Sequence, residues 1–528
     1  MNLEFNDKNR KVIPRLRDFK TTLILGELRS AISTEAKHIH PDTAIDDQIE
    51  DWKKNRSLSF ASDLIGSGFV LGMTDKVQDA ANFILSDRSK ATNLQKRVAR
   101  QVKNPEYGVC LITSEEVASD PGKLIEHSRE QVKKYRKQLG QSPRNPVKLV
   151  ELSREYATLG SVEKALRAMD TAVALAPANR FVLRSATRLY IHADEVDKAH
   201  YILRRAPSLR SDPWILAAEI AVASLREQTS RNVKVGLRQI ADSNYNPFDI
   251  SELTSMIATL EMENANSKLA RKLFRQALRQ PTENSIAQAE WASHSISSFD
   301  IDMQEFDVPR NYEALASNFY QKGEMNNAIT QGKNWILDQP FAVSPILFTG
   351  IAAAILENFE MAEKIYRFGV SANPENITLR NNLAYALASN NRQEEAEVEF
   401  NKIDRSSLTV EEKIITTATE GLIRFRQGLY EEGRQLYKGA IKIAQENKEQ
   451  VTALRGLVFL AREEIYAGTE YAAQAFLSAE KESNRFHLNQ ELIILFSKLR
   501  SRIQLHPNHL KKFNEIHSGL KTDAKLVK

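Results

Sequence analysis

Small residues and prolines recur in this chain at a fixed interval of 34 positions. Ala328, Ala362 and Ala396 are each 34 apart, as are Pro340 and Pro374, and Ala165 and Ala199 repeat the spacing upstream. Around each anchor, apolar residues recur at helical intervals in two blocks joined by a short polar turn. In residues 147–177 the first block carries Leu149, Leu152 and Tyr156, and Gly160 and Ser161 make the turn. The second carries Ala165, Met169 and Ala172, and Pro177 ends it. One such helix pair cannot bury its apolar faces alone, but a stack of pairs shares a continuous core. The period therefore predicts an all-α array. Composition agrees: 20 Gly and 16 Pro in 528 residues is about half the usual share, and helices need few tight turns. An apolar content of 42% excludes wholesale disorder.

The anchors resemble the tetratricopeptide repeat (TPR) family, whose pattern runs W-x2-L-G-x2-Y, A-x3-F-x2-A, then P. Ile346, Thr349, Gly350, Ala353, Ala362, Tyr366, Gly369 and Pro374 follow it most fully. The preceding copy has Tyr312, Leu315, Ala316, Phe319, Ala328, Trp335 and Pro340, with Gly332 in place of the aromatic. The following copy has Leu383, Ala384, Leu387, Ala396 and Phe400 and lacks the proline. Degenerate copies extend the resemblance over about 145–484, roughly eight helix pairs. It implies a right-handed superhelical solenoid whose first helices line a concave groove that accepts a peptide or helix from a partner.

The family register places Arg154, Arg184 and Arg188 on that concave face. Arg184 and Arg188 share one helix face, and the resemblance implies a cationic trough suited to carboxylates or phosphates. It is partly similar to the carboxylate clamp of chaperone-binding TPR domains, but Val150 and Arg154 stand where the family has Lys and Asn. In the central array the equivalent positions include Glu313, Ser317, Tyr320, Leu347, Ile351, Asn381 and Tyr385, a less charged lining suited to a mixed peptide.

The expected domains are a basic, mostly helical 1–140, a first array 145–297, a second array 308–484, and a capping helix with a polar tail in 485–528. The stretch 298–310 (SFDIDMQEFDVPR) reads equally as a joint or as a long inter-helix loop. Helical patterns are expected at 14–37, 44–55, 59–86, 87–103 and 121–139, with a strand-like run at 107–113. Residues 1–140 hold 24 basic and 20 acidic residues, a net +4 of the chain's +5. Two helical stretches concentrate it, around Arg97 and Arg100 and around Lys133, Lys134, Arg136 and Lys137. A basic face of this kind can hold phosphates through charge alone. A solvated helix face is the plainer reading, because no RRM, KH or zinc-finger signature accompanies it.

No catalytic motif is present. Gly66, Gly68 and Gly72 imitate a loosened dinucleotide fingerprint, but the residues before them read as helix, so close helix packing explains them better. There is no phosphate loop, nucleophile elbow or kinase catalytic loop. One cysteine, Cys110, excludes Cys-rich zinc sites and an internal disulfide. The ten histidines are scattered. The start, MNLEFNDKNRK, has no apolar run behind it, so no secretory leader and no membrane anchor are expected, and the location expected is cytoplasmic. The sequence predicts a non-catalytic adaptor or regulatory scaffold with one or more protein partners and no cofactor or metal. The alternative is a nucleic-acid-associated protein of a microbial stress or phage-defence type, and a third reading is an enzyme within residues 1–140.

Overall fold

A computed structural model describes residues 10–29, 41–70, 73–86, 90–104, 122–242, 244–486 and 488–505. They form 26 α-helices and two short 3-10 helices, and no β-strand occurs among the described residues. The chain divides into two compact units, Met1–Ala31 together with Ser114–Lys528, and Ile32–Thr113. The expected segment 1–140 is thus shared between them.

The larger unit is a helical solenoid. After the helix Gly122–Gln141 come nine helix pairs, from Pro146–Thr158 with Val162–Leu175 to Gln450–Ala467 with Ala472–Ser483, and then a final helix Gln490–Leu505. The entry to many pairs is written locally. Asn145 and Asn179, 34 apart, accept from the backbone N–H of Lys148 and Val182 at 3.1 and 3.2 Å, and Pro146, Pro213 and Pro247 occupy the first helical turn. Such residues satisfy or remove the orphan donors of a helix start.

The turn inside each pair needs one residue in the left-handed region. Gly160, Gly323 and Gly428 supply it at φ of 69°, 76° and 81°. Asp194 and Glu357 take the same conformation one repeat after Gly160 and Gly323, at 60° and 63°, and Asn391 one repeat after Glu357, at 59°. The turn is therefore a property of the repeat, and glycine is only its least strained occupant.

Between the fourth and fifth pairs the helix Glu283–Ser293 has no second helix. Residues 294–311 return irregularly through a 3-10 turn, Met303–Phe306. Ile296, Phe299 and Phe306 are buried in one core with Phe274, Trp291 and Ala314. The solenoid core thus runs through this stretch from one array into the next.

The superhelix meets itself. A Cβ on Gly160 would stand 2.5 Å from the Ser371 carbonyl oxygen and 3.4 Å from Pro374 Cδ, and the His192 ring lies 5.0 Å from the Phe341 ring. Gly160→Ala adds this clash to the left-handed penalty of about 1–2 kcal/mol. Its urea midpoint is expected to fall by more than that of Gly428→Ala, where a Cβ meets nothing within 4 Å.

The smaller unit contains Pro41–Lys54, Leu58–Val70, Gln78–Ser86 and Asn93–Lys103 around Ile45, Trp52, Leu64, Ile65 and Ile84. Gly66 and Gly68 lie in the helix Leu58–Val70, and a Cβ on Gly68 would stand 2.6 Å from Val77. No phosphate-binding turn forms there. The strand-like run 107–113, Cys110 and Gly72 fall outside the described residues.

Candidate functional site

The concave surface of the first array is already occupied, by residues 10–19 of the same chain. The helical pattern expected over 14–37 is realised only in the short helix Phe19–Ile24, capped by Asp18, which accepts from the Thr21 N–H at 2.9 Å. Residues 10–18 instead form neither helix nor strand, with a tight turn where the Ile13 N–H donates to the Lys11 carbonyl at 2.9 Å. Pro14 lacks an N–H to donate and favours extended backbone before it.

The segment is buried like core. Val12 and Leu16 are 2% and 0% exposed and belong to the cores of the surrounding repeats. Phe19 packs edge-on against Phe181, with ring centroids 5.2 Å apart. Its basic side chains meet carboxylates from successive helices. Lys11 pairs with Glu263, and Arg10 with Glu313. Arg15 donates to Glu313 Oε2 at 2.6 Å and to Asn284 Oδ1 at 2.7 Å. Arg17 donates through Nε and Nη2 to the two oxygens of Asp338 at 2.8 and 2.9 Å, and through Nη1 to Glu283 Oε1 at 2.6 Å. Planar, two-armed contacts of this kind are what guanidinium provides and ammonium does not.

Charge in the innermost cluster is not balanced. Arg15, Arg17 and Arg184 face Glu27, Glu252, Glu283 and Asp338, and all seven are buried. Burial raises the Asp338 carboxyl, but Arg17 and Arg15 outweigh it and hold Asp338 well below the usual range. Glu27 carries the excess: burial, with Glu283 and Glu252 nearby, pushes it up to about 7 against the pull of Arg184 and Arg17.

A folded-state pKa above the ordinary carboxylate value means that Glu27 binds a proton on folding between pH 4.5 and 7. Its contribution is complete below the unfolded value and is lost as pH rises through about 7. Asp338 acts in the opposite sense, stabilising above the unfolded pKa and losing that contribution only in strong acid. His192, pushed down to about 4 by burial and Arg188, also acts opposite to Glu27, adding stability as pH rises to its ordinary value. From pH 5.5 to 8 the urea midpoint of the wild type is therefore expected to fall relative to that of Glu27→Gln, which keeps the His192 effect and loses the Glu27 one.

The candidate residues read from the sequence are distributed as follows. Arg184 donates to Glu252 Oε2 at 2.7 Å and to Glu27 Oε2 at 3.0 Å, so its charge is matched within the chain. Arg154 donates to Glu155 Oε1 at 2.9 Å. Arg188 has no carboxylate in ion-pair range among the described residues and stands 5.8 Å from the Phe341 ring centroid. The three arginines therefore do not act as one open trough.

Tyr320, Asn381 and Tyr385 are all buried in the second array. Tyr385 lies between Phe359 and Phe459, and its hydroxyl accepts from Arg462. Burial and Glu491 push the Tyr320 hydroxyl well above its ordinary value. Glu491 belongs to the helix Gln490–Leu505, and Arg455 donates to it at 3.2 Å. Lys498 of the same helix donates to the Ile355 carbonyl at 2.9 Å. Residues 10–19 and the helix Gln490–Leu505 thus both pack onto repeats. Of the basic patch, Arg97 and Arg100 lie on the smaller unit and Lys133, Lys134, Arg136 and Lys137 on the larger. Apart from Lys134, which is partly buried, these side chains are exposed.

Comparison with known proteins gives the fold alone. No protein-family model and no curated protein sequence matches the chain. Among solved structures it is similar to a tetratricopeptide repeat protein from Parabacteroides merdae, at 14% identity over 56% of this chain and 93% of that one, with a TM-score of 0.23. It is similar to yeast Tom70 at 14% identity, covering 76% and 100%, with a TM-score of 0.29. It is also similar to the human IFIT1 dimer with PPP-AAAA at 13% identity, covering 88% and 99%, with a TM-score of 0.30. Scores this low carry no argument about activity or partner. The fold is a TPR-like helical solenoid on the strength of its own helix pairs.

The sequence reading gave 14–37 to a helix and, of the acids that hold residues 10–19, placed only Glu313 in the groove. A signal was present: Arg15 and Arg17 alternate with Leu16 behind Pro14, a period of two that suits extended chain and not helix. Among the described residues, no group of three or more His, Cys, Asp or Glu side chains is placed to hold a metal ion. No described helix is long and apolar enough to cross a membrane.

Proposed function

We propose that this chain is a non-catalytic scaffold whose solenoid binds partner polypeptides, and that the first array reads non-helical, arginine-bearing segments. The observation that supports this is residues 10–19, a non-helical stretch up to Asp18 that carboxylates from several repeats hold across the concave face. A surface that reads such a segment of its own chain has the chemistry to read the same pattern in another. Residues 10–19 then set the threshold a partner must exceed, because a tethered ligand acts at roughly millimolar effective concentration.

The test uses a labelled peptide spanning residues 9–24 and the full-length chain. An Arg15→Glu/Arg17→Glu chain has its own segment repelled from the acids and is expected to capture the wild-type peptide much more strongly than the wild-type chain does. Equal, negligible capture by both chains contradicts the reading, provided circular dichroism shows the variant to be folded.

A second reading is favoured by the exposure of Arg97, Lys133, Arg136 and Lys137, where phosphate backbones can reach them. Filter binding of single-stranded RNA and duplex DNA across a salt series separates the two. Nucleic-acid contact requires binding that weakens steeply with salt, and no binding at low salt eliminates it.

A further inference from the structure

Around the half-buried Arg188 lies a solvent-open cavity of about 250 Å³, between residues 10–15 on one side and the solenoid on the other. Its solenoid wall comes from the helices Arg180–His192, Pro213–Leu225, Glu283–Ser293, Tyr312–Gln321, Met325–Asp338 and Val343–Ile355. Glu283–Ser293 is the helix that has no second helix of its own, and it contributes Asn284 and Gln288 to the lining.

The lining is cationic. Arg10, Lys11, Arg15 and Arg188 face it, with Glu313 as the one carboxylate. Glu313 already accepts from both Arg10 and Arg15, and Lys11 is paired with Glu263. Arg188 is left over. No carboxylate among the described residues lies in ion-pair range of it, and its neighbours are the Phe341 ring and the like charge of Arg15.

Two further groups report the same field. Burial and then Arg15 push the Arg188 guanidinium down to about 10, despite Glu313. Burial and Arg188 push His192, one turn along the helix, down to about 4. A half-buried guanidinium that no carboxylate among the described residues matches is a ready partner for an anion.

Gln339 also lines the cavity, with its side-chain amide N–H donating to the Asp338 carbonyl at 2.8 Å. Trp335 and Pro345 supply apolar wall. The volume exceeds what a bare oxyanion fills, since one water takes about 30 Å³.

We propose that this cavity is a binding site for a small phosphate-bearing solute, with Arg188 holding the phosphate. The ligand touches both the N-terminal segment and the solenoid, so its binding tightens the docking of one on the other. This site is separate from the peptide reading above and can stand if that reading fails.

The experiment is thermal unfolding and calorimetric titration of the full-length protein. The probes are inorganic phosphate, ribose 5-phosphate, ribose, and sodium chloride at matched ionic strength. One or both phosphate compounds are expected to raise Tm in a saturable way, whereas ribose and chloride are not. The two phosphate arms show whether the organic part is read. Arg188→Met removes an unpaired charge and not an ion pair, so the ligand-free variant is expected to be at least as stable as wild type. Its phosphate affinity is expected to fall by about 10–100-fold, the range for losing a hydrogen bond to a charged group. Arg188→Lys is expected to retain part of the affinity. The proposal is overturned if neither phosphate compound shifts Tm more than chloride does, or if Arg188→Met keeps the wild-type shift.

Discussion

Replacing Arg17 by alanine is expected to destabilise the larger unit by about 3–5 kcal/mol, the cost of breaking a buried ion pair by removing one partner. Arg17 is 2% exposed and serves Asp338 and Glu283 at once. Without it both carboxylates stay in the groove with Arg15 as the nearest remaining cation on the segment, at 3.7 and 3.8 Å. The loss should be read as a lower urea midpoint followed by tryptophan fluorescence, since Trp335 and Trp214 are both buried in this unit. The double variant Arg17→Ala/Asp338→Ala is expected to recover part of that loss, because it removes one stranded charge as well. If the single variant is as stable as wild type, Arg17 does not sit where the structure places it.

Leu16→Ala is expected to cost about 2–5 kcal/mol, the range for truncating a fully buried leucine. Leu16 is 0% exposed and lies in one core with Val150, Phe181, Ala186 and Phe341. That core draws on the first two pairs and on the start of the sixth, so a void there weakens the closure of the superhelix on itself. Leu23 provides the internal control. It lies seven residues along the same segment but is 40% exposed, so Leu23→Ala is expected to change stability by no more than about 0.5 kcal/mol. A similar cost at both positions would mean that the segment is loosely attached and not part of the core.

The two predictions separate the roles of one short stretch. Arg17 tests whether the groove is read by charge, and Leu16 tests whether the segment belongs to the fold. Both effects together describe a solenoid that uses part of its own chain as a permanent or exchangeable ligand.

Much of the solenoid was legible because its determinants are local and periodic. Ala165, Ala199, Ala328, Ala362 and Ala396 are all fully buried at helix contacts, and small residues there let helices approach closely. Gly160, Gly323 and Gly428 announced their turns. Asp194, Glu357 and Asn391 did not, because an L-residue in the left-handed region leaves no mark in composition. The helix Glu283–Ser293 was hidden for a related reason: without a partner helix it breaks the 34-residue register.

The groove was less legible than the scaffold. Arg184 was expected in a cationic trough open to a partner's anion, yet Glu252 and Glu27 neutralise it from 68 and 157 residues away. No local pattern encodes such a pairing. The same holds for Arg17 and Asp338, which are 321 residues apart. Arg188 was placed on the concave face by register, and the structure gives it the lining of a cavity. What register cannot supply is the identity of the neighbour that matches, or fails to match, a charge.

The account stands on residues 10–19 being seated in the first array, and limited trypsin digestion tests it most directly. Arg15 and Arg17 are each followed by a residue other than proline and are both cleavable in an unfolded chain. In the native protein they are 8% and 2% exposed. The account predicts that the bonds after Arg15 and Arg17 survive under native conditions until the chain unfolds, while exposed sites such as those after Arg136 and Lys137 are cut. Cleavage after Arg15 and Arg17 at the rate seen at those exposed sites would contradict it.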